Sequence, residues 1–485
     1  MRKSFSIQLR LDCSPVVGSV QLNTECRDEI VPILTALQHI YSQPNLRASV
    51  TGLVARDVNK DSRSDIGREG FSYWEIAVLA SVRLGCNLDY DKLQDLAENH
   101  RALRSVMGIG DWDQAINFSW RRIRDNVCLI HPTTIEEINQ LIVSYGQQLH
   151  GDARSEVRAD SFVIETNIHF PTESSLIWDG VRKIIPLCVA LAEHIGEPGW
   201  RQAAQLRKRI KQQARVISQI SSSKSPKAKE ALPTAYAKLL ERAATIISRG
   251  KSLLETKGVG IDQLLKAKEL LGWIELTEQV CDTARRRVIL GETVPNTEKL
   301  FSLFETHTQL YRRGKAGTPN QFGRLLLVYE DKAGFISHYH LLARDAQDAS
   351  VVVEQTRRVQ ELHNSEIEKA SFDRGFYSPE NENALSEIVS SPCVPPRHPM
   401  QFAEKLKEAS VEFHKSRKRH PGIESAIGSL QSGNGLKRCR DRSELGLERY
   451  VALAILGRNL HTLGKLLIAQ VNSKCEAARS KREAA

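Results

Sequence analysis

A long helical stretch between two β-rich segments is the feature that most constrains the fold of this chain. Residues 157–169 are rich in β-branched and apolar side chains, and a second strand is predicted at 175–178. Helical patterning then runs from about 181 to 311, before strands return at 321–330 and 335–342. The chain has 485 residues, which is too many for one compact core. The pattern predicts an α/β protein of several domains, in which a helical segment divides the strands.

Composition excludes several classes of protein. Hydrophobic residues make up 41% and charged residues 26% of the chain, which excludes a protein that is disordered throughout. The longest apolar stretch, 450–471, is broken by Arg458, His461 and Lys465, so it predicts a buried helix and not a membrane span. Nine scattered cysteines and a basic N-terminus without an apolar segment behind it favour reduced thiols in a cytoplasm.

The charge of the chain suits a polyanionic partner without requiring one. The formal net charge is +10, from 68 basic and 58 acidic residues. Six of the basic residues lie in 201–215, where there is no acidic residue. On a helix of 3.6 residues per turn, Lys208, Lys211 and Arg215 share one face, which predicts contacts with the DNA backbone. The same pattern is also typical of a solvated helix surface.

The region between residues 70 and 130 predicts three short helices joined by polar turns. The first helix covers 73–80, the second 90–99 and the third 113–127. This arrangement is typical of helix-turn-helix DNA-binding proteins, and it also occurs in small helical bundles with no such role. The third helix carries the candidate DNA-binding residues Arg121, Arg122 and Arg124.

Three acidic residues are candidates for metal-dependent chemistry. Asp160 lies in the first predicted strand, Asp373 ends a short strand predicted at 368–372, and Glu424 lies in the first turn of a helix that Pro421 can start. Taken singly, Asp373 suits a turn and Glu424 suits a helix N-terminus. Three carboxylates from separate elements can also hold two Mg²⁺ ions about 3.5–4 Å apart, which clamp both oxygens of an in-line phosphoryl displacement.

The sequence around these acids resembles bacterial insertion-sequence transposases of the DDE type, and most closely the ISNCY group. Segment 159–172 resembles the block of the first aspartate, and segment 371–378 that of the second. The third block is similar over 420–427, 435–441 and 449–460. The N-terminal region is similar at Gly70, Tyr73, Trp74, Asn87, Leu88, Tyr90, Leu93, Leu103 and Arg104. The resemblance covers roughly residues 60–472 in order, which makes it more specific than any one motif.

The resemblance implies a fold and a division into domains. It implies an α/β protein with an RNase-H-like catalytic core, a large helical insertion between the first and second acids, and a helical N-terminal DNA-binding region. Asp160 and Asp373 lie 213 positions apart, which is too far for a hairpin and one crossover alone. The expected domains are an N-terminal region at 1–150, core segments at 155–178 and 318–472, the insertion at 179–317, and a charged tail at 473–485.

The resemblance also implies an activity. Asp160, Asp373 and Glu424 would be the catalytic residues and the ligands of two Mg²⁺ ions, for which Mn²⁺ may substitute. The reaction would be cleavage and strand transfer at the terminal inverted repeats of an insertion sequence. The expected partners are double-stranded DNA, at the repeats and at the target, and further copies of the chain in a homodimer or larger assembly. A membrane is not an expected partner, and the expected location is the bacterial cytoplasm at the nucleoid.

The basic residues around the third acid depart from the pattern of some relatives. Those relatives carry Tyr, Arg and Lys seven before, four before and seven after this acid, where this chain has Arg417, His420 and Gln431. Lys437 and Arg438 lie nearby and are candidate phosphate contacts. Two alternatives stay open: a transposase-derived DNA-binding protein or repressor without catalysis, and a structure-specific nuclease.

Overall fold

The described part of the chain is a mostly helical α/β protein made of two compact units. The computed structural model describes residues 16–60, 70–110, 118–151, 153–255, 263–312, 319–396 and 410–483. One unit contains the described residues up to Asn167 and those from Leu325 onward, and the other contains Ile168 to Arg324. A helical segment therefore divides the strand-bearing unit in sequence.

Within the described ranges, seven α-helices precede the first strand. They are α1 (Ile30–Ser42), α2 (Pro44–Asn59), α3 (Tyr73–Gly85), α4 (Tyr90–Asn99), α5 (Arg101–Met107), α6 (Trp120–Val127) and α7 (Pro132–Leu149). A capping box starts α3: the Ser72 hydroxyl accepts a hydrogen bond from the Glu75 amide, and the Glu75 carboxylate accepts one from the Ser72 amide. The Asp89 carboxylate caps α4 with a single hydrogen bond, which it accepts from the Lys92 amide.

Most of a mixed sheet lies in the strand-bearing unit, whereas its residues 309–311 and 321–324 belong to the other unit. Its strands are β1 (Glu156–Glu165), β2 (Gln309–Tyr311), β3 (Gln321–Asp331), β4 (Ile336–Leu341), β5 (Lys369–Phe372) and β6 (Ser391–Cys393). The order is β2-β3-β1-β5-β6, and β4 also pairs with β3. The β2–β3 and β3–β4 pairs are antiparallel, whereas β5 is parallel to both β1 and β6. Pro392 lies in the terminal strand β6, where a missing amide hydrogen is tolerated.

The C-terminal helices complete this unit. They are α12 (Asp348–Leu362), α13 (Pro379–Ile388), α14 (Val411–Arg419), α15 (Gly422–Ser432) and α16 (Glu444–Glu483). Helix α16 packs against α1, α3 and α7. Its buried Asn459 accepts a hydrogen bond from the Ile336 amide and donates one to the Ile336 carbonyl, so it joins the helix to the start of β4.

Helix α16 is long and apolar enough to cross a membrane by length and composition alone. The most apolar window within Glu444–Ala478 has a mean hydropathy of 1.3, and 61% of that window is buried inside the protein. Core helices of globular proteins meet the same criterion. Burial of residues such as Tyr450 and Leu453 is what the broken apolar pattern of 450–471 predicts for a buried helix.

The second unit is a group of long helices with its own hydrophobic core. The helices are α8 (Glu173–Ile195), α9 (Ala203–Ser222), α10 (Pro226–Glu255) and α11 (Leu264–Ala284), with a π-helical turn after α11 at Arg285–Ile289. Helix α8 packs against α9, α10 and α11. The predicted long helical stretch is thus confirmed as far as Ile289, but its predicted end was wrong, because Gln309–Tyr311 form strand β2.

The strand predicted at 175–178 was wrong. These residues lie in the first turns of α8, where Thr172 accepts a hydrogen bond from the Ser175 amide and Glu173 lies in the first turn. Capping by Thr172 and a favourable interaction of Glu173 with the helix dipole start a helix here. The pattern after Pro171 was thus a helix start and not a turn between strands. The third N-terminal helix starts at Trp120, and its predicted residues 113–117 lie outside the described residues.

Candidate active site

The register of the sheet brings two of the candidate acids side by side. In the parallel pair of β1 and β5, Ala159 lies opposite Phe372. Asp160, in the middle of β1, and Asp373, directly after β5, are the next residues along these two segments, so they occupy neighbouring positions. The backbone of Asp373 is extended, with φ −77° and ψ 164°, so it continues the direction of β5. Asp160 is half-buried and Asp373 is exposed.

A local hydrogen bond orients each of these two carboxylates. The Asp160 Oδ1 accepts one from the Ser161 amide at 2.7 Å. The Asp373 Oδ1 accepts one from the Arg374 amide at 2.7 Å and caps the short 3₁₀ turn Arg374–Phe376. Each carboxylate has a second oxygen, which suits a further ligand.

Helix α15 carries the third acid, and Arg158 fixes its N-terminus on β1. The Arg158 Nη1 donates a hydrogen bond to the Arg419 carbonyl at 3.0 Å, and its Nε donates to the Glu330 carboxylate at 2.6 Å. A Cβ atom at Gly422 would overlap the Arg158 guanidinium, so only glycine allows this approach. Glu424 is exposed in the first turn of α15. Arg158 therefore packs against the start of the helix that carries the third acid.

His420 links the segment that precedes the Glu424 helix to the strand that precedes Asp373. Its Nδ1 lies 3.2 Å from the Ser371 hydroxyl, two residues before Asp373. Burial lowers the pKa of His420, whereas the carboxylates of Asp373 and Glu424 oppose that shift. Sequence reasoning noted His420 only as a departure from a pattern, and it gave Arg158 and Gly422 no role. Their contacts join residues far apart in sequence, so no local signal reveals them.

The candidate acids offer the oxygen ligands that Mg²⁺ prefers, and in that sense they fit the implied metal. Among the residues that the structure describes, however, no three His, Cys, Asp or Glu side chains are grouped closely enough to hold a metal ion. Asp160 and Asp373 are neighbours through the sheet register, and the Glu424 side chain is exposed on an adjoining helix. Asp160 and Asp373 are therefore neighbours through the sheet, but the three carboxylates do not form a gathered ligand set.

Lys437 and Arg438 lie at the far end of β1 from its start. The Glu165 amide donates a hydrogen bond to the Lys437 carbonyl at 3.2 Å, and the Cys439 amide donates to the Glu165 carbonyl at 2.8 Å. This short parallel bridge extends the edge of the sheet by two exposed basic side chains. Their segment pairs with Glu165, the last residue of β1, which lies five residues beyond Asp160.

The three arginines of α6 have different surroundings. Arg121 and Arg124 are exposed, and their guanidinium carbons lie 5.0 and 5.3 Å from the centre of the Trp120 ring. Arg122 is half-buried and lies 4.3 Å from the centre of the Phe71 ring. Arg122 therefore packs against the protein, and the other two are open to a ligand.

The basic residues of α9 lie opposite its buried face. Ile210 and Ile217 are buried against the neighbouring helices. Lys208, Lys211 and Arg215 are exposed, lie about half a turn away from these isoleucines, and form no ion pair with any described residue. The predicted shared face is therefore a solvent-exposed surface.

The chain matches no family model, no curated protein and no solved structure. Its function is therefore inferred from its residues and from the geometry described above.

Proposed function

We propose that this protein is a DDE-type transposase, which cuts and joins DNA at the terminal inverted repeats of an insertion sequence. The observation that carries the proposal is the neighbouring position of Asp160 and Asp373 on parallel strands that lie 213 residues apart in sequence. Contacts of Arg158, on the same strand as Asp160, with the Arg419 carbonyl and with Gly422 at the start of the Glu424 helix support it.

The sheet is compatible with an RNase-H-like core. An antiparallel hairpin, β3 and β4, lies on one side of β1, and the parallel strands β5 and β6 lie on the other. The proposed insertion is the group of helices in the second unit, which lies between the first and second acids in sequence. These features agree with the resemblance in the blocks around the three acids.

In this proposal Asp160, Asp373 and Glu424 hold two Mg²⁺ ions, with Mn²⁺ as a substitute. When bound, the metal supplies positive charge for the attacking and leaving oxygens of phosphoryl transfer. The Asp160 and Asp373 carboxylates each accept a hydrogen bond from the amide of the next residue, which orients them. Glu424 is exposed, so its side chain is able to rotate towards the other two. His420 and Arg158 are positioning residues that hold α15 against β1 and β5.

We assign the binding of double-stranded DNA to the exposed basic residues. Arg121 and Arg124 on α6, with Arg122 in support, are proposed to contact the terminal repeats, and Lys437 and Arg438 the DNA near the acids. Lys208, Lys211 and Arg215 on α9 are proposed to bind phosphates without reading sequence. Joining two element ends calls for at least two copies of the chain on the DNA.

The test is an assay of strand transfer with the full chain. The substrate is labelled DNA carrying the sequences that flank the gene, incubated with Mg²⁺, with Mn²⁺, or with a chelator. The proposal expects metal-dependent cleavage at the repeat ends and joining of those ends to target DNA. Binding without cleavage would favour a repressor, and cleavage of branched DNA without joining would favour a structure-specific nuclease.

A further inference from the structure

A cleft of about 760 Å³ lies within the first unit, between α6 and the segment that precedes α16. Trp120 and Arg124 of α6 line it, and so do Arg440 and Arg442 of the segment that follows the third acid. We call it the arginine cleft. It brings the arginines of the N-terminal helices together with basic residues that lie about 320 positions later in sequence.

The charges that line the arginine cleft favour an anion. Arg442 is exposed and forms no ion pair with any described residue. Arg124 pairs with Asp125 at 2.7 Å, but both side chains are exposed and such pairs are weak. Of the acids in the cleft, Asp89 accepts a hydrogen bond from the Lys92 amide as the cap of α4. Asp91 is the other acid without a basic partner, so positive charge exceeds negative charge here.

One ion pair in the cleft, between Arg83 and Asp441, neutralises its own charges. The Arg83 guanidinium donates two hydrogen bonds to the Asp441 carboxylate, at 2.5 and 2.9 Å. Arg440 is also held in place, because its Nη2 donates to the Asn87 side chain at 2.7 Å. Arg442 is therefore the arginine of this segment that is best able to reach a ligand.

The cleft also offers flat surfaces for nucleobases. The Trp120 ring is half-exposed, and the Arg121 and Arg124 guanidinium groups lie over it. Aromatic rings and arginine planes both stack on bases, and a positive groove beside them follows a single strand. A volume of about 760 Å³ is that of a site for a small organic molecule, and so for a few nucleotides of one strand.

We propose that the arginine cleft binds an unpaired, single-stranded segment of DNA, with Arg442 and Arg124 on the phosphates and Trp120 beside a base. This inference rests on the proposed function in taking DNA as the ligand. It adds a substrate class, because it makes DNA with an unpaired end a better ligand than a blunt duplex. Strand separation near the ends of a duplex exposes such segments.

The test measures binding of the full chain to two fluorescent DNAs by anisotropy, in a chelating buffer that prevents cleavage. One probe is a blunt duplex, and the other is the same duplex with a five-nucleotide single-stranded extension, prepared with either polarity. Arg442→Gln is the test variant, since this exposed side chain has no structural partner. Arg357→Gln on α12 removes another exposed arginine and serves as the matched control.

The wild type is expected to bind one of the extended probes about tenfold more tightly than the blunt duplex, and Arg442→Gln is expected to remove most of that difference. Arg357→Gln should retain it. Equal binding of all probes by the wild type, or an equal loss on blunt and extended DNA in Arg442→Gln, would overturn the inference. The transposase proposal is tested separately by strand transfer. If Arg442→Gln lost affinity only for the extended probe and the wild type showed no strand transfer, the cleft would still be a single-strand site, whereas the transposase proposal would be wrong.

Discussion

Arg83 is a buried cation whose single carboxylate partner is distant in sequence. Its side chain is 2% exposed, and its nearest acid is Asp441, whose side chain is 12% exposed. The Tyr90 ring lies 3.9 Å from its guanidinium carbon. Burial alone would lower the pKa of Arg83, but the hydrogen bonds to Asp441 raise it above its ordinary value. Arg83 is thus charged, and among the described residues Asp441 is the carboxylate that compensates this buried charge.

We expect Asp441→Asn to destabilise the protein strongly. The substitution leaves the Arg83 charge buried without compensation, which costs about 3–5 kcal/mol in the free energy of unfolding. Chemical denaturation measures this directly. Asp125→Asn removes the partner of the exposed Arg124 and should leave stability almost unchanged, because water screens an exposed ion pair. Equal effects of the two substitutions would show that burial of Arg83 does not matter.

Asp331 is a buried carboxyl group at the end of β3. Burial raises its pKa to about 7, although the amides of Ala333 and Phe335 and the side chain of Gln147 donate hydrogen bonds to it. Since the folded state favours the protonated form, the contribution of this group to stability is complete below its unfolded pKa. It is lost as pH rises from about 4 through 7.

Asp331→Asn should therefore change stability differently at pH 5 and at pH 8. Relative to wild type, the variant is expected to be more stable at pH 8 than at pH 5, because it has no buried charge to form. The wild-type loss is at most about 1.4 kcal/mol per pH unit in that window. Urea denaturation at the two pH values measures it, with the exposed Asp345→Asn as control. A difference between variant and wild type that is independent of pH would contradict the account.

At the scale of elements, α3 and α16 cross at two glycines. A Cβ atom at Gly457 would lie 2.5 Å from the Cα and the amide nitrogen of Gly85. Neither helix is able to shift easily, because both are buried in the same core. The close approach lets the buried side chains on either side of the crossing pack together.

Gly457→Ala is expected to lower the melting temperature by several degrees, as overpacking in a core commonly costs about 1–3 kcal/mol. Gly272→Ala on α11 is the matched control, since no atom lies within 4 Å of the Cβ it would add. Because alanine favours a helix more than glycine does, the control should stabilise by about 0.5–1 kcal/mol. Thermal unfolding measures both melting temperatures. If the two variants shifted the melting temperature in the same direction, the close approach of the helices would not be what requires glycine at 457.

The basic face of α9 predicts binding to DNA without regard to sequence. Replacing Lys208, Lys211 and Arg215 by Gln should weaken binding to repeat DNA and to unrelated DNA alike. The slope of log affinity against log salt should fall by about one for each lost phosphate contact. Replacing Lys238, Lys266 and Lys268 by Gln removes the same charge elsewhere in this unit. If both triple variants lose the same affinity, net charge and not this face is responsible.

Local patterns predicted most elements, and they failed where long-range contacts decide. The strands at 321–331 and 336–341 and the helix at 90–99 lie close to their predicted bounds, because alternation and helical spacing reflect which face is buried. Residues 175–178 were misassigned because their apolar character fits either element and Thr172 decides it. The short strand Ser391–Cys393 was not predicted, since its place beside β5 depends on the sheet.

At the scale of the whole molecule, the N-terminal helices share one hydrophobic core with the sheet. This cluster runs from Ile30 on α1 through Phe162 on β1 to Leu463 on α16. A fragment of residues 60–130 would lose the buried partners of α3, so DNA binding by this region is best measured in the full chain. The sequence predicted a helical region but not this merging, because α16 lies more than 300 residues later.

The candidate acids were predictable as residues, whereas their arrangement was not. The motif blocks named Asp160, Asp373 and Glu424, and the β1–β5 register accounts for the first two being neighbours. The roles of Arg158 and Gly422 depend on a contact between β1 and α15 across more than 260 positions. Such contacts leave no periodic signal in one sequence.

The measurement that tests the account most directly is strand cleavage by Asp160→Asn, Asp373→Asn and Glu424→Gln, each in the full chain with Mg²⁺. We expect each variant to lose cleavage by about 10²-fold or more while melting temperature and DNA affinity stay near wild type. Glu361→Gln, at an exposed position of α12, should cleave normally. Cleavage at the wild-type rate by any one of the three variants would contradict the assignment of that acid, and by all three would contradict the transposase proposal.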